Sequence, residues 1–475
     1  MKEKLLEKGR VWYKLGKKIV SEIVLMLVPL IVGMLSLAFN IQPAKSEWSG
    51  TVYIRADGSI DPPDAPIITY DNITYTLIDN ITSSREGIVV ERDNIVVDGV
   101  GYVVQGTNTP DSNGIHLSGR KNVIIKNMEI RAFWTGIYIA ESSNIDIVGN
   151  NLINNNNGIG LLFSSHNSIV KNNITDNDYG ISIIDSSNNN SVFGNSIIDN
   201  DCGIWLAAEI SHFGSSHNII SRNNITNNYN GIWLAYSSNY NSISGNNIAA
   251  NKRYGICLDH SSNNRVYHNN LIDNGVQASL YGSYDNLWDD GYPSGGNYWS
   301  DYAGIDLHWG SDQNETGSDG IGDTQYIVDE NNVDRYPLMG PFNSFNASVG
   351  YSVDVVSNST IGDFRYFESN STIIMHVSNM TVNQTVGFCR LTIPHELMPP
   401  PYTVKVNDTT IEYRTIYGNH TEGISIIHFT YEHSKLEITL IPEFPTTITT
   451  LLLMLTVISI IVPVKRKVLK RKFPT

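Results

Sequence analysis

Cysteine is scarce: three in 475 residues, no two of them close in sequence. That excludes a disulfide framework, a zinc ribbon and a redox pair. Charge is sparse too, at 17% of residues, and the dense basic runs sit at the two ends. Between Glu47 and Pro445 stand 18 Lys and Arg against 44 Asp and Glu, so this stretch carries −26. A surface of that sign repels phosphate backbones and argues against nucleic acid as a partner. Helical periodicity is missing from the middle of the chain. Aromatic residues, at 10%, are not missing, and together with many β-branched residues they mark a folded chain rather than a disordered one. What the chain has in excess is asparagine, 53 residues.

The ends point out of the cell. Lys2, Lys4, Lys8, Arg10, Lys14, Lys17 and Lys18 precede an apolar run, Ile19 to Phe39, broken mainly by Glu22. Ala44-Lys45-Ser46 then offers small residues at the −3 and −1 positions of a cleavage site. Residues 1–46 read as a signal peptide or, uncleaved, an N-terminal membrane segment. At the other end Thr446 to Val464 is apolar over 19 residues, enough to span a bilayer as a helix. Lys465-Arg466-Lys467 and Lys470-Arg471-Lys472 follow, which puts the tail in the cytoplasm and everything before the helix outside. Pro442-Glu443-Phe444-Pro445 stands just ahead. This arrangement over 442–475 resembles the PEF-type C-terminal sorting signals of archaea, which implies a membrane transpeptidase of the archaeosortase class as its processor. A plain tail anchor is the alternative. Sequons from Asn314 onward (Asn346, Asn358, Asn370, Asn379, Asn383, Asn407 and Asn419 among them) lie outside the Asn-rich repeats and fit a glycosylated surface.

The middle repeats. A Gly-Ile/Val-x-Leu/Ile unit begins at Gly114, Gly136, Gly158, Gly180, Gly203, Gly231 and Gly255, and a decayed copy at Gly275. The steps are 22, 22, 22, 23, 28, 24 and 20 residues. A second column holds Asn150, Asn172, Asn195, Asn223, Asn246 and Asn269. Each repeat has three short segments alternating with period two, separated by Ser-Ser-Asn and Asn-Asn turns. Three strands per turn, stacked, predict a right-handed parallel β-helix of eight or nine coils, roughly 40 Å long. The Ile and Leu columns would fill its core. The Asn column would form an internal amide ladder, and the Gly column would supply corners with positive φ. The 28-residue step marks an insertion near Ile210–Ser216. Cys202 and Cys257 fall about two coils apart, too far for a disulfide.

The Gly-Ile-x-Leu and Asn-Asn-Ile columns resemble those of the NosD-type β-helix proteins, the carbohydrate-binding and sugar-hydrolase repeats of the pectin-lyase-like superfamily. Gly296-Asn297-Tyr298-Trp299-Ser300-Asp301-Tyr302, followed by Asp319-Gly320-Ile321-Gly322-Asp323-Thr324, adds to the likeness. The resemblance covers about residues 50–340. It implies the fold and leaves the function open among lyases, epimerases, hydrolases and adhesins.

The organisation expected is thus a β-helix with capping segment over 47–342 and a small β-sandwich stalk over 343–441, where seven alternating segments follow at about ten-residue intervals. In the cap, Asp306, Asp312, Asp319 and Asp323 are candidate calcium ligands, with a plain polar cap as the other reading.

The outward residues of the Gly-Ile-x-Leu strands include Tyr138, Trp205 and Trp233, with Tyr179 and Tyr254 beside them. Aromatic platforms at a spacing of about 5 Å suit stacking on successive sugar rings. Catalysis would need carboxyls in a cleft, and the candidates Asp185, Asp201, Asp259 and His260 are scattered. No Arg or Lys cluster stands ready for a uronate. The NosD likeness implies a copper association, but Cys257, His260 and His268 are the one cluster of ligand types, and methionine is nearly absent from the repeats, which argues against copper. No cofactor is required. The sequence therefore predicts a membrane-anchored cell-surface rod that binds extracellular glycan or other envelope components without catalysis. The alternative is a polysaccharide-active lyase, epimerase or hydrolase.

Overall fold

The computed structural model describes residues 48–443, apart from 210–212, 420, 422, 433 and 434. Every regular element among them is a β-strand. Among the described residues no helix is long and apolar enough to cross a membrane. Both expected membrane segments, 1–46 and 442–475, fall essentially outside the described residues.

Three parallel sheets of 11, 11 and 10 strands wind around a common core in about nine turns of the right-handed type. The first sheet carries the Gly-Ile-x-Leu strands, from Asn113–Ser118 through Cys202–Ala207 to Val276–Tyr281. The second runs through Ser143–Val148, Ser191–Phe193 and Arg265–Tyr267, the third through Asn151–Ile153, Ser196–Ile198 and Asn270–Ile272. Each strand pairs in register with its copy one coil on: Ile181 faces Ile204, Ile204 faces Ile232, and Ile232 faces Ile256. These residues and the Leu column are fully buried. Burying a Leu or Ile side chain stabilises the fold by about 1.5–3 kcal/mol, so the stacked columns are the main source of cohesion along the rod.

The turns are held by asparagine. The column from Asn150 to Asn269 is buried, and each Nδ2 donates to Oδ1 of the next, at 3.2, 3.0, 3.0, 2.9 and 2.9 Å. Each backbone N–H in the column donates to that same oxygen. Two further ladders run at the other corners, one from Asn155 through Asn200 to Asn251 and one from Asn167 through Asn218 to Asn264. Ser164, Ser187, Ser215 and Ser238 form a fourth line, each backbone N–H donating to the next hydroxyl.

The glycine column requires correction. None of Gly136, Gly158, Gly180, Gly203 or Gly231 has positive φ. A Cβ on Gly203 would lie 2.7 Å from the Gly231 carbonyl oxygen and 3.1 Å from Cγ2 of Ile225. Close approach of successive backbones, not a left-handed turn, demands glycine there. Positive φ falls on the turn residues instead, among them Glu141, Phe163, Asp185 and Tyr236.

The last coil is closed by the Gly296–Trp299 segment. Asn269 Nδ2 donates to Asn297 Oδ1 at 3.0 Å, and the ladder ends on a carboxylate. Asp334 Oδ2 accepts the Asn297 backbone N–H at 2.7 Å and Trp299 Nε1 at 2.9 Å, while its Oδ1 accepts the Tyr336 N–H at 3.1 Å. Burial pushes the Asp334 carboxyl up to about 7, against the pull of these donors. Trp288 and Trp299 are buried at this end with ring centroids 5.8 Å apart.

Two five-stranded antiparallel sheets then form a β-sandwich-like unit, with Val353, Ile373, Leu391, Ile427 and Leu440 in the core between them. The hairpin of Phe342–Ser348 and Tyr351–Ser357 was not evident in the sequence pattern, and Thr409–Ile411 and Arg414–Asn419 form separate strands in different sheets. Buried Arg390, on the strand Val386–Pro394, donates to the backbone carbonyls of Asp319 at 2.6 Å and of Pro293, which ties the sandwich to the cap.

Candidate functional site

Outward positions of the first sheet form columns because the strands stack in register. His116, Tyr138, Gly160, Ser182, Trp205, Trp233 and Cys257 make one column. Tyr179, Cys202, Asn230 and Tyr254 make the column just before the glycines. Where these two columns are bulky, between the coils of Tyr179 and Trp233, the surface folds into a groove of about 440 Å³. Asp178, Tyr179, Asp201, Tyr229, Asn230 and Trp233 line it, with Cys202 at its floor.

The Tyr179 ring stacks on that of Trp205, centroids 4.8 Å apart and planes 29° from parallel. Trp205 and Trp233 are register partners on adjacent coils. Both indole N–H groups are buried and have no hydrogen-bond partner among the described residues. Asn230 is 6% exposed, and its Oδ1 likewise lacks a partner. A buried polar atom left unpaired costs about 1–3 kcal/mol, so the groove floor holds hydrogen-bonding capacity that the chain itself does not use. Asp178 and Asp201 stand on the rim on successive coils, both exposed, and Asp178 Oδ2 accepts Asn156 Nδ2. Burial holds the Tyr179 phenol above its ordinary range. Cys202 is buried and free, its thiol pushed up by desolvation, so it is a packing residue rather than a nucleophile.

The sequence-predicted aromatic residues divide. Tyr179, Trp205 and Trp233 come together. Tyr138 lies three coils from Trp205 and packs near His116, ring centroids 5.5 Å apart. Tyr254, one coil beyond Asn230, is tied to Tyr281 by a hydroxyl contact of 2.8 Å and lies under Arg253 at 4.5 Å.

The catalytic candidates do not converge. Asp201 borders the groove at the start of its strand. Asp185 and Asp259 sit at the other ends of theirs, roughly 20 Å or more away along the strand direction. Asp185 is buried in its turn and accepts the Glu209 N–H at 2.9 Å. Glu209 is pushed up by burial and by that neighbouring charge. Asp259 Oδ1 lies 2.6 Å from Nδ1 of exposed His260, a hydrogen-bonded contact on an outer turn.

The candidate calcium ligands serve the cap itself. Asp306 accepts the N–H groups of Asp319 and Gly320 at 3.0 and 2.8 Å. Asp323 accepts the Leu307 and His308 N–H groups and lies 2.9 Å from His308 Nδ1. Asp319 is buried beside Arg390, and Asp312 is exposed. Among the described residues no three His, Cys, Asp or Glu side chains gather as a metal site would require.

Asn230 and Asp178 are what sequence reasoning missed. In a chain with three asparagine ladders a further Asn carries no signal of its own. Its position gives no signal either, since Asn113 and Asn157 stand in the same column on other coils.

A three-sheet parallel solenoid with asparagine ladders and a lateral groove defines a parallel β-helix of the right-handed type. Residues 50–213 and 207–304 match the model of the family described as periplasmic copper-binding protein (NosD), and the chain belongs to that family. Among solved structures it is similar to a mutant of the periplasmic alginate epimerase AlgG, at 18% identity over 45% of this chain and 78% of that one, with a TM-score of 0.35. The A-module of an Azotobacter vinelandii mannuronan C-5 epimerase matches at 13% over 51% and 92%, TM-score 0.30. Tailspike protein 2 of an Escherichia coli bacteriophage matches at 12% over 77% and 63%, TM-score 0.37. With TM-scores of 0.30 to 0.37, these likenesses carry no conclusion about this chain. No curated protein matches the chain.

The family description raises copper, and the donor set here does not fit it. Cys257 is buried on the first sheet, and His260 is paired with Asp259 on the following turn. His268 is beyond the second sheet, its ring stacked on Phe342 at 4.4 Å and its Nε2 3.1 Å from the Ser294 carbonyl. Copper would need such soft and imidazole donors together.

Proposed function

We propose that the chain is a surface-anchored β-helix rod that binds extracellular glycan in the first-sheet groove without cutting it. The observation that carries this reading is the pairing of an aromatic platform, Tyr179 on Trp205 beside Trp233, with buried polar atoms that have no partner. Sugars present both an apolar ring face and a fringe of hydroxyls, and such a surface answers both. Anchoring is proposed from the sequence of the ends: a signal segment, a C-terminal span of the PEF type and a basic cytoplasmic tail.

One observation favours catalysis instead. Asp178 and Asp201, one coil apart, are carboxylates on the rim of the same groove, and a glycosidase needs two. Both are exposed rather than enclosed, whereas a general acid is usually tuned by burial.

A polysaccharide panel separates the two. Full-length protein and a Trp205→Ala/Trp233→Ala variant are titrated with each glycan, and reducing ends and unsaturated products are followed. Binding without product, weakened about tenfold or more in the variant, is expected, since each lost aromatic contact is worth about 1 kcal/mol or more. New reducing ends that vanish in Asp178→Asn would replace the binding reading with hydrolysis. Binding unchanged in the double variant would remove the groove from the function.

A further inference from the structure

Resting on the glycan-binding reading above, we infer that the groove takes a neutral, hydroxyl-rich glycan and rejects polyuronates. Its charged equipment is wholly acidic, and the Tyr179 and Tyr229 hydroxyls beside it can donate or accept. Asp178 and Asp201 are exposed carboxylates on the rim, and carboxylate oxygens accept. Asn230 adds an amide oxygen, buried and without a partner. Against these stands Trp233 Nε1–H, a fixed donor with nothing to donate to among the described residues. The ligand that completes such a set brings many donors and an occasional acceptor, which is what a ring of hydroxyl groups does.

Charge points the same way. No Lys or Arg is among the described lining residues. The two rim carboxylates sit on successive coils, about 5 Å apart along the rod. A uronate chain would add its own carboxylate at each ring, directly against them. The nearest cations, Lys252 and Arg253, belong to the coil beyond Tyr229, and the Arg253 guanidinium lies over the Tyr254 ring at 4.5 Å. Tyr229 therefore separates the acidic rim from the basic coil.

The test is calorimetric titration of the full-length protein with neutral gluco-, galacto- and manno-oligosaccharides and with oligogalacturonate and oligomannuronate, each with and without added calcium. At least one neutral series is expected to bind about tenfold or more tighter than either uronate, calcium present or not, because two charge-assisted hydrogen bonds favour it. In Asp178→Asn/Asp201→Asn, with wild-type circular dichroism, that preference should shrink about tenfold. In Asn230→Leu neutral binding should weaken. Uronate binding that is abolished by Trp233→Ala would keep the glycan-binding reading and overturn this one. Neutral binding untouched by all three variants would place the ligand elsewhere and also overturn it. A folded protein that binds none of these sugars would sink the glycan-binding reading and this inference with it.

Discussion

Replacing Asn195 by Ala should break the rod at its middle. The side chain makes contacts in both directions along the ladder. Its Oδ1 accepts the Asn172 backbone N–H at 2.9 Å and Asn172 Nδ2 at 3.0 Å. Its Nδ2 donates to the Ile169 carbonyl at 2.8 Å and to Asn223 Oδ1 at 3.0 Å. Truncation thus strands the Asn172 backbone N–H and takes a donor from the Ile169 carbonyl, in an interior where Asn195 is 1% exposed, while Asn172 Nδ2 keeps the Ile147 and Val170 carbonyls. At about 1–3 kcal/mol for each of these two groups, partly relieved by relaxation, the cost is about 2–4 kcal/mol. Asn173→Ala is the matched control. That residue is exposed one position further along the chain, and its Nδ2 bonds only Asn151 Oδ1, at 2.8 Å. Its loss should stay within about 0.5 kcal/mol. Urea unfolding followed by tryptophan emission gives the overall ranking. Because solenoid coils can unravel separately, hydrogen exchange at the Asn172 amide gives the local value, with an expected loss of protection of about a hundredfold or more. Equal midpoints for the two variants, with the Asn172 amide still protected, would show that the ladder is not what holds successive coils.

Three other outcomes follow from particular contacts. Gly203→Ala should cost about 1–3 kcal/mol, because its Cβ would meet a backbone oxygen at 2.7 Å that cannot swing away; Gly362→Ala, whose nearest atom is 4.0 Å off, should be close to neutral by the same denaturation assay. Asp334→Ala leaves the Asn297 N–H and Trp299 Nε1–H without their acceptor. The last coil should fray, seen as faster proteolysis near the cap, and uncut protein at wild-type rates would contradict its role as the ladder terminus. His428 is buried between Arg390 and Arg414, which pushes it down to about 3, while the unfolded chain holds it near 6.5. The unfolded state therefore binds the extra proton between these values, and the sandwich loses stability as pH falls from about 6.5 to about 3. Asp306 and Asp334, both raised to about 7, act in the opposite sense from pH 4 to 7, so the measurement is the difference in melting temperature between wild type and His428→Leu across pH. A difference that does not change with pH would refute the assignment.

The solenoid was legible because its repeat is short and its buried positions are chemically strict. A residue that must fill the core or bond to its own copy one coil away leaves a column in the sequence. The number of ladders was harder to see. Asn167 and Asn155 sit in runs such as Ser-His-Asn and Asn-Asn-Asn, where turn-forming and ladder-forming asparagines look alike. The glycines were assigned the wrong reason, since closeness of two backbones is a property of neighbouring coils and leaves no local mark. The first hairpin of the sandwich was hidden because Phe342–Ser348 is largely polar and only half-buried. At the groove, Trp205 and Trp233 stood out by size. Asn230 did not, because its significance lies in what fails to bond with it.

The placement of the groove also has a cause in the repeat. A β-helix needs only its inward residues and its corners, so the outward positions of each strand are free to vary at little cost to the fold. For three steps the repeat keeps to 22 residues, and the outward positions there are His116, Tyr138 and Gly160, with Ser182 next. From Gly180 onward the steps lengthen to 23, 28 and 24, and over those coils the column turns to Trp205 and Trp233. Extra residues in a solenoid coil cannot enter the packed core, so they are pushed out as loops over one face. Here the loop after Ala207 is held down by the Glu209 N–H on Asp185, at the far end of the same strands that present Asp178 and Asp201. The coils that depart from the regular period carry Trp205 and Trp233 with their unpaired indole N–H groups, though the regular coils also present Tyr138 and an unpaired Asn157 Oδ1. The insertion after Ala207 stands at the opposite strand ends from Asp178 and Asp201, so it does not wall the acidic edge of the groove. What sets these coils apart is the outward column itself, where Ser182 gives way to the register-paired Trp205 and Trp233.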